Sequence, residues 1–184
     1  MTRRLIRRTV GAVVGILVLT LPLPSRPIAT AASSRVGPAD WLVWDAATHT
    51  VTLTLIAGYN LARRGFNFNG YSTGTMVISV PRGARVRVIF RNQGRFPHSA
   101  IIARYAARTH DSSSGFPLAF PGAHTPDPLH GITQGKIQHF TFVAGRVGRY
   151  ALVCGVGHHA QVGMWDVFQV TPGGEPNLAL PQGR

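Results

Sequence analysis

Cys154 is the only cysteine in 184 residues. It opens the run Cys154-Gly155-Val156-Gly157-His158-His159-Ala160-Gln161-Val162-Gly163-Met164-Trp165, with an imidazole five positions on and a thioether five positions after that. A single thiol forms no internal disulfide, so its chemistry lies elsewhere. Thiolate, imidazole and a weak thioether are what one loop contributes to a type 1 copper centre, which needs a second imidazole from another segment to complete a His2Cys plane with an axial Met. His98, in Phe96-Pro97-His98-Ser99, is the candidate for that imidazole, 56 positions before Cys154. Taken singly, each residue has an ordinary reading: a small buried hydrophobe for Cys154, core filler for Met164, a solvated strand end for His98. Their order and loop spacing together point to a metal.

Such donors have to be aimed by rigid elements, and the chain supplies short strands. From residue 41 onward alternating apolar runs are separated by turn residues, the all-β pattern, with almost no helical periodicity. Residues 41–45 and 50–56 flank Ala46-Ala47-Thr48-His49 as a hairpin, Val51, Leu53 and Leu55 alternating against Thr52 and Thr54. Residues 75–80 and 85–91 flank Pro81-Arg82-Gly83 as a second expected hairpin, with Val86, Val88 and Phe90 on one face. Period-two alternation means that one face packs and the other meets water. Segments 98–104, 137–143, 149–154 and 165–171 bring the total to about eight strands, typical of a Greek-key sandwich. A loop joining the last two can aim Cys, His and Met at one point, while His98 holds the metal against a wall.

Two connectors interrupt this rhythm. Gly65-Phe66-Asn67-Phe68-Asn69-Gly70 carries two aromatics expected to cap one end of the core. Residues 105–135 are rich in Ser, Gly and Pro and contain His110, His124 and His130; a loop this long is either functional or flexible. A second metal site built from those histidines would lack Cys or acid partners at ligand spacing, and His139 is expected to face out of its strand.

The chain carries 19 Lys and Arg against 6 Asp and Glu. Part of that excess sits at the N-terminus, where Arg3, Arg4, Arg7 and Arg8 precede a nearly pure apolar run over residues 10–21. The run is short for a bilayer, Pro22 and Pro24 break the chain directly after it, and Ala29-Thr30-Ala31 offers a small-x-small cleavage pattern. Residues 1–31 are therefore expected to form an export signal, with an uncleaved anchor as the alternative; Thr2-Arg3-Arg4-Leu5-Ile6 partly matches a twin-arginine signal. The domain plan is a signal over 1–31, a connector over 32–39, one domain over 40–172 and a C-terminal tail over 173–184. Without the five arginines of the signal the chain holds 14 basic and 6 acidic residues, a formal charge of +8. That favours anionic partners or anionic membrane faces. The remaining arginines are scattered and no nucleic-acid motif is present, so nucleic acid is not an expected partner. Six carboxylates also leave few groups whose protonation destabilises the fold in acid.

The Pro-His-Ser segment and the Cys154-x4-His159-x4-Met164 spacing followed by an aromatic resemble the rusticyanin and sulfocyanin group of blue copper proteins. Trp41-Leu42-Val43, Thr50-Val51-Thr52-Leu53, Phe66-Asn67-Phe68-Asn69-Gly70 and Val80-Pro81-Arg82-Gly83 resemble the N-terminal half of sulfocyanin in order and spacing. The resemblance covers roughly residues 40–171. It implies a cupredoxin-like Greek-key β-sandwich holding one type 1 copper ion, with His98, Cys154 and His159 as equatorial ligands and Met164 as the axial one. Two positions depart from the pattern. His158 stands where relatives usually have Gly, so two adjacent imidazoles compete for one place, and His159 followed by Ala160 fits better. Gly157 stands where Pro is expected, which makes the loop more permissive. Ser99 stands where many blue copper proteins have an Asn tying the His strand to the Cys loop; Ser either makes a shorter version of that link or points into water.

The resemblance implies one-electron transfer in an extracytoplasmic respiratory chain rather than catalysis, since four protein ligands leave no open position for substrate. The paired-His motifs of multicopper oxidases and the second Cys of a dinuclear copper site are missing from the sequence. The expected protein is an exported monomer of the periplasm or of the extracytoplasmic face of the membrane, exchanging electrons with a cytochrome or terminal oxidase. An extracytoplasmic copper carrier that hands metal to another protein is the alternative, and a metal-free interaction module is a third reading. An axial Met, an apolar surround of Phe96, Val156 and Trp165, and few negative charges favour Cu(I), hence a comparatively high reduction potential. The electron is expected to leave by the His159 edge, ringed by Phe96, Pro97 and Val162.

Overall fold

The alternating runs pair into two sheets. One contains β1 (Leu42–Asp45), β2 (Thr50–Ala57), β4 (Arg85–Asn92) and β6 (Ile137–Val143) in the order β1-β2-β4-β6. The other runs β5-β7-β8-β3-β9, from β5 (Ile101–Arg104), β7 (Gly148–Val153), β8 (Trp165–Thr171), β3 (Val77–Pro81) and β9 (Asn177–Ala179). The structure is a computed structural model and describes residues 37–181. The expected export signal lies outside them. Among the described residues no helix is long and apolar enough to cross a membrane.

The all-β sandwich expected from the alternation is present. Val51, Leu53, Leu55, Val86, Val88, Phe90, Phe140 and Phe142 of the first sheet are buried with Ile78, Val80, Ile102, Leu152, Phe168 and Val170 of the second in one core. Side chains between them face outward, His139 among them, as period two requires.

The first hairpin forms, with Leu42 opposite Leu53 and Asp45 opposite Thr50. The second does not. β3 pairs with β8 and β9, whereas β4 pairs with β2 and β6, so Pro81-Arg82-Gly83 crosses from one sheet to the other. Alternation identifies a buried face but not a partner, and both strands present such a face to the same core. The crossing is held by Arg82 N–H donating to Thr171 C=O at 2.9 Å and Gly83 N–H to Ala144 C=O at 2.9 Å. Residues of the expected C-terminal tail supply β9, an edge strand on β3.

The Phe-Asn-Phe-Asn-Gly connector does more than cap. β1 covers β2 only as far as Leu53, and beyond it the edge of β2 needs other partners. Asn69 supplies them: its Oδ1 accepts from Ile56 N–H at 2.8 Å and its Nδ2 donates to Thr54 C=O at 3.0 Å. Asn67 likewise accepts from Tyr59 and Gly70 N–H and donates to Ala62 C=O. Phe68 is fully buried in the core, while Phe66 is carried to the end of the sandwich where β7 and β8 open.

The long loop over 105–135 lies along β5 as an irregular extra strand. Ala103 bridges to Leu118, Ile101 to His124 and His98 to Ile132.

Candidate metal centre

β7 and β8 are antiparallel neighbours, and the residues between Val153 and Trp165 form the loop that joins them. Cys154 N–H donates to Met164 C=O at 3.1 Å, and Met164 N–H to His159 C=O at 2.9 Å, so the backbone at all three residues is clasped together. His159 N–H closes a turn onto Val156 C=O at 3.1 Å. Gly157 sits in that turn at φ +48°, a conformation proline cannot adopt because its ring holds φ near −65°. The departure from the expected Pro is thus built into the shape of the turn.

His98 arrives from the other side, just before β5. It is pinned by paired hydrogen bonds with Ile132, its N–H to Ile132 C=O at 3.1 Å and the return bond at 2.8 Å. Asn92, at the end of β4, donates to Ile132 C=O at 2.6 Å and to Phe96 C=O at 2.7 Å, so one buried amide holds both flanks of His98.

Three donor atoms converge. His98, Cys154 and His159 each offer one ligand atom, all within 4.8 Å of one another, the only such group of three His, Cys or acid residues among the described residues. Both imidazoles turn Nδ1 toward the sulfur, at 3.8 Å for His98 and 3.3 Å for His159. Met164 is fully buried in the same core as Cys154. His158 points outward, its Nδ1 on Gln161 Oε1 at 2.8 Å. His110, His124 and His130 are not brought together; their Nδ1 atoms meet Gly115 C=O, Thr125 C=O and the Asp127 carboxylate.

Ser99 is fully buried and links three segments. Its hydroxyl donates to Pro128 C=O at 2.6 Å and accepts from Gly155 N–H at 2.9 Å, while its backbone N–H lies 3.5 Å from Cys154 Sγ. The shorter version of the Asn link is therefore made, and the reading in which Ser99 points into water is set aside. Sequence reading missed Asn92, Ile132 and Phe66. Phe66 packs on His159 with ring centroids 4.6 Å apart and stacks on Phe96 at 5.5 Å. Only the membership of Phe66 in the Phe-Asn-Phe-Asn-Gly connector hinted at it.

The electrostatics suit soft, neutral donors. Burial, with the nearby His159 adding to it, lowers the His98 pKa to about 3. Burial, with His158 adding to it, lowers that of His159 to about 4. The imidazole lone pairs are therefore free at neutral pH. Burial pushes the Cys154 thiol up to about 11, so a ligand that takes the thiolate must displace a proton. One soft sulfur with two fixed imidazoles and a buried thioether close by is a donor set that fits type 1 copper.

Comparison with known proteins gives the same direction. Residues 38–174 match the family described as the Sulfocyanin (SoxE) domain. Sulfocyanin of Sulfolobus acidocaldarius is 34% identical over 130 residues, covering 68% of this chain and 65% of that protein. The chain thus spans just under two thirds of that relative's length. Among solved structures, reduced auracyanin from the photosynthetic bacterium Roseiflexus castenholzii aligns at TM-score 0.47 and 22% identity, over 66% of this chain and 97% of its own. Rusticyanin from Thiobacillus ferrooxidans aligns at TM-score 0.43 and 24% identity, over 71% and 86%.

Proposed function

The chain belongs to the sulfocyanin family of blue copper proteins, and from this we propose that it carries single electrons outside the cytoplasmic membrane, through one copper ion held by His98, Cys154, His159 and Met164. The observation that carries this reading is the convergence of a buried sulfur and two imidazole Nδ1 atoms within 4.8 Å. When bound, the ion supplies a one-electron couple between Cu(II) and Cu(I).

The chain's own residues supply the rest. Ile132 and Asn92 hold His98 on one side, and the Cys154–Met164 backbone bond holds the loop on the other, so ligand positions are set by the fold. Ser99 locks the two halves together and brings a backbone N–H toward the sulfur. Core packing excludes water from Cys154 and Met164. His159, only partly buried and backed by Phe66, is the route by which an electron reaches the surface.

The fully buried Cys154 and His98 favour lasting retention of the metal over hand-off to another protein, which argues against the copper-carrier reading. The basic, apolar and small-residue sequence of residues 1–31 supports export. We further propose a respiratory setting, with a cytochrome or terminal oxidase as partner, since both exchange electrons one at a time.

Adding Cu(II) to the metal-free protein is expected to produce an intense visible thiolate-to-copper absorption, absent in Cys154→Ser. A colourless product in the unmodified chain sinks the reading. Rapid transfer of Cu(I) from the loaded protein to a chelating acceptor protein would favour the carrier instead.

A further inference from the structure

Next to the centre, on the His98 side, lies a cleft of about 520 Å³ lined by Arg64, Arg95, Gln93, Gln134, Leu61 and Phe96, with Gly94 and His98 in its wall. No carboxylate lines it. Among the described residues no Arg or Lys is ion-paired, the one charged contact being His130 with Asp127, so both guanidiniums are available to an outside anion. Arg64 is held in the left-handed region at φ +58°, next to Arg63 at +48°, where side-chain-bearing residues are rare and where strain tends to mark functional positions. Arg95 lies 4.9 Å from the Phe96 ring centroid, which keeps its fork beside the cleft.

The inner end of the cleft holds an orphan. His98 turns Nδ1 to Cys154, and with Nδ1 given to a metal the proton of the neutral ring is on Nε2. That N–H is fully buried and meets no acceptor among the protein's own groups, a costly state for a polar atom. It faces Gly94. A Cβ on Gly94 would lie 3.0 Å from Nε2, 3.1 Å from Gly58 Cα and 3.3 Å from Cδ2, a tight fit that glycine relieves beside the ring edge.

We propose that the cleft binds an oxyanion of the phosphate class, inorganic or as the head of a small organic molecule, through Arg64 and Arg95, with His98 Nε2–H as the innermost donor, and that occupancy tunes the metal centre through His98. Two uncompensated guanidiniums suit the charge and fork geometry of such a dianion. The flanking Leu61, 90% exposed, and Phe96 suit an organic substituent. Binding stands on the cleft alone; only the tuning rests on the copper reading.

The test is calorimetric titration of inorganic phosphate and of phenyl phosphate into the metal-free full chain at pH 7 and fixed ionic strength. Saturable one-to-one binding is expected, weakened about tenfold by Arg64→Gln and by Arg95→Gln and unchanged by Arg87→Gln on the outer face of β4. Tighter binding of phenyl phosphate assigns an organic anion, and equal affinity an inorganic one. No saturable binding, or an equal loss in Arg87→Gln, overturns the site. In the copper-loaded protein the same phosphate concentrations should lower the reduction potential, because an anion on Nε2–H makes the imidazole a stronger donor to Cu(II). Gly94→Ala, which crowds the ring edge of His98, should abolish that shift. Binding without a shift overturns the coupling through His98. Phosphate binding by a chain that takes up no copper would leave the cleft standing and overturn the proposed function.

Discussion

His158 and His159 are neighbours in sequence and opposites in environment. The first is exposed and bonded to Gln161, while the second turns Nδ1 to within 3.3 Å of Cys154 Sγ. His159→Ala is therefore expected to abolish the blue absorption and His158→Ala to leave it intact, as read by visible spectroscopy; bleaching in His158→Ala would reverse the assignment. The raised Cys154 pKa of about 11 sets a second expectation. Copper uptake at pH 7 should release about one proton per site, measurable in weakly buffered solution, because the imidazoles are already neutral and the thiol is not. Residue types and spacing made Cys154, His98 and Met164 legible as candidates. His159 was already favoured over His158 by its offset from Cys154 and the Ala160 that follows; the fold adds the direction of each ring, which spacing does not contain.

At the level of strands and loops, the centre depends on segments that look irregular in sequence. The loop over 105–135 is the partner that pins His98 through Ile132 and Ser99 through Pro128. Ser99→Ala leaves Gly155 N–H buried without its acceptor and should cost about 1–3 kcal/mol in denaturant unfolding of the metal-free protein. It should also weaken copper binding by about tenfold or more, as loss of a ligand-orienting bond does. Unchanged stability and affinity would mean that the link is incidental. Val162, 47% exposed on the ligand loop, tests the exit route. Val162→Glu should slow electron exchange without changing the colour, and unchanged exchange kinetics would move the exit elsewhere. Strand positions were legible from period-two alternation, but the second hairpin was misread because Val86 and Val80 face one core from different sheets. β9 escaped because three residues are too few to show a period.

For the protein taken whole, pH dependence has two opposing sources. Asp166 is fully buried, its Oδ1 on Met76 N–H at 3.0 Å and its Oδ2 without a partner. Burial raises its pKa from 3.8 to about 8. A raised folded pKa stabilises fully below the unfolded value, so this contribution is present below about pH 4 and lost as pH rises through about 8. His98 and His159 act in reverse in the metal-free protein. Their pKa values fall from 6.5 to about 3 and about 4, so their contribution is full above pH 6.5 and lost as pH falls through those values. Asp166→Asn should therefore remove the loss on the alkaline side and leave the loss in acid. Thermal unfolding from pH 3 to 9 reads both limbs; an unchanged alkaline limb in Asp166→Asn would assign it to another group.

The chemistry was legible in the chain before any folding: a lone thiol at loop spacing from an imidazole and a thioether, and alternation that commits each strand to one buried face. Both are local properties, written in residue type and period. Which irregular loop braces His98 and which sheet each strand joins were left to the fold. Those outcomes depend on contacts between segments far apart in the chain. Ser99 shows the division: its sequence position allowed either a solvated side chain or a brace. Only the approach of Pro128 and Gly155 to within hydrogen-bonding distance made it the brace.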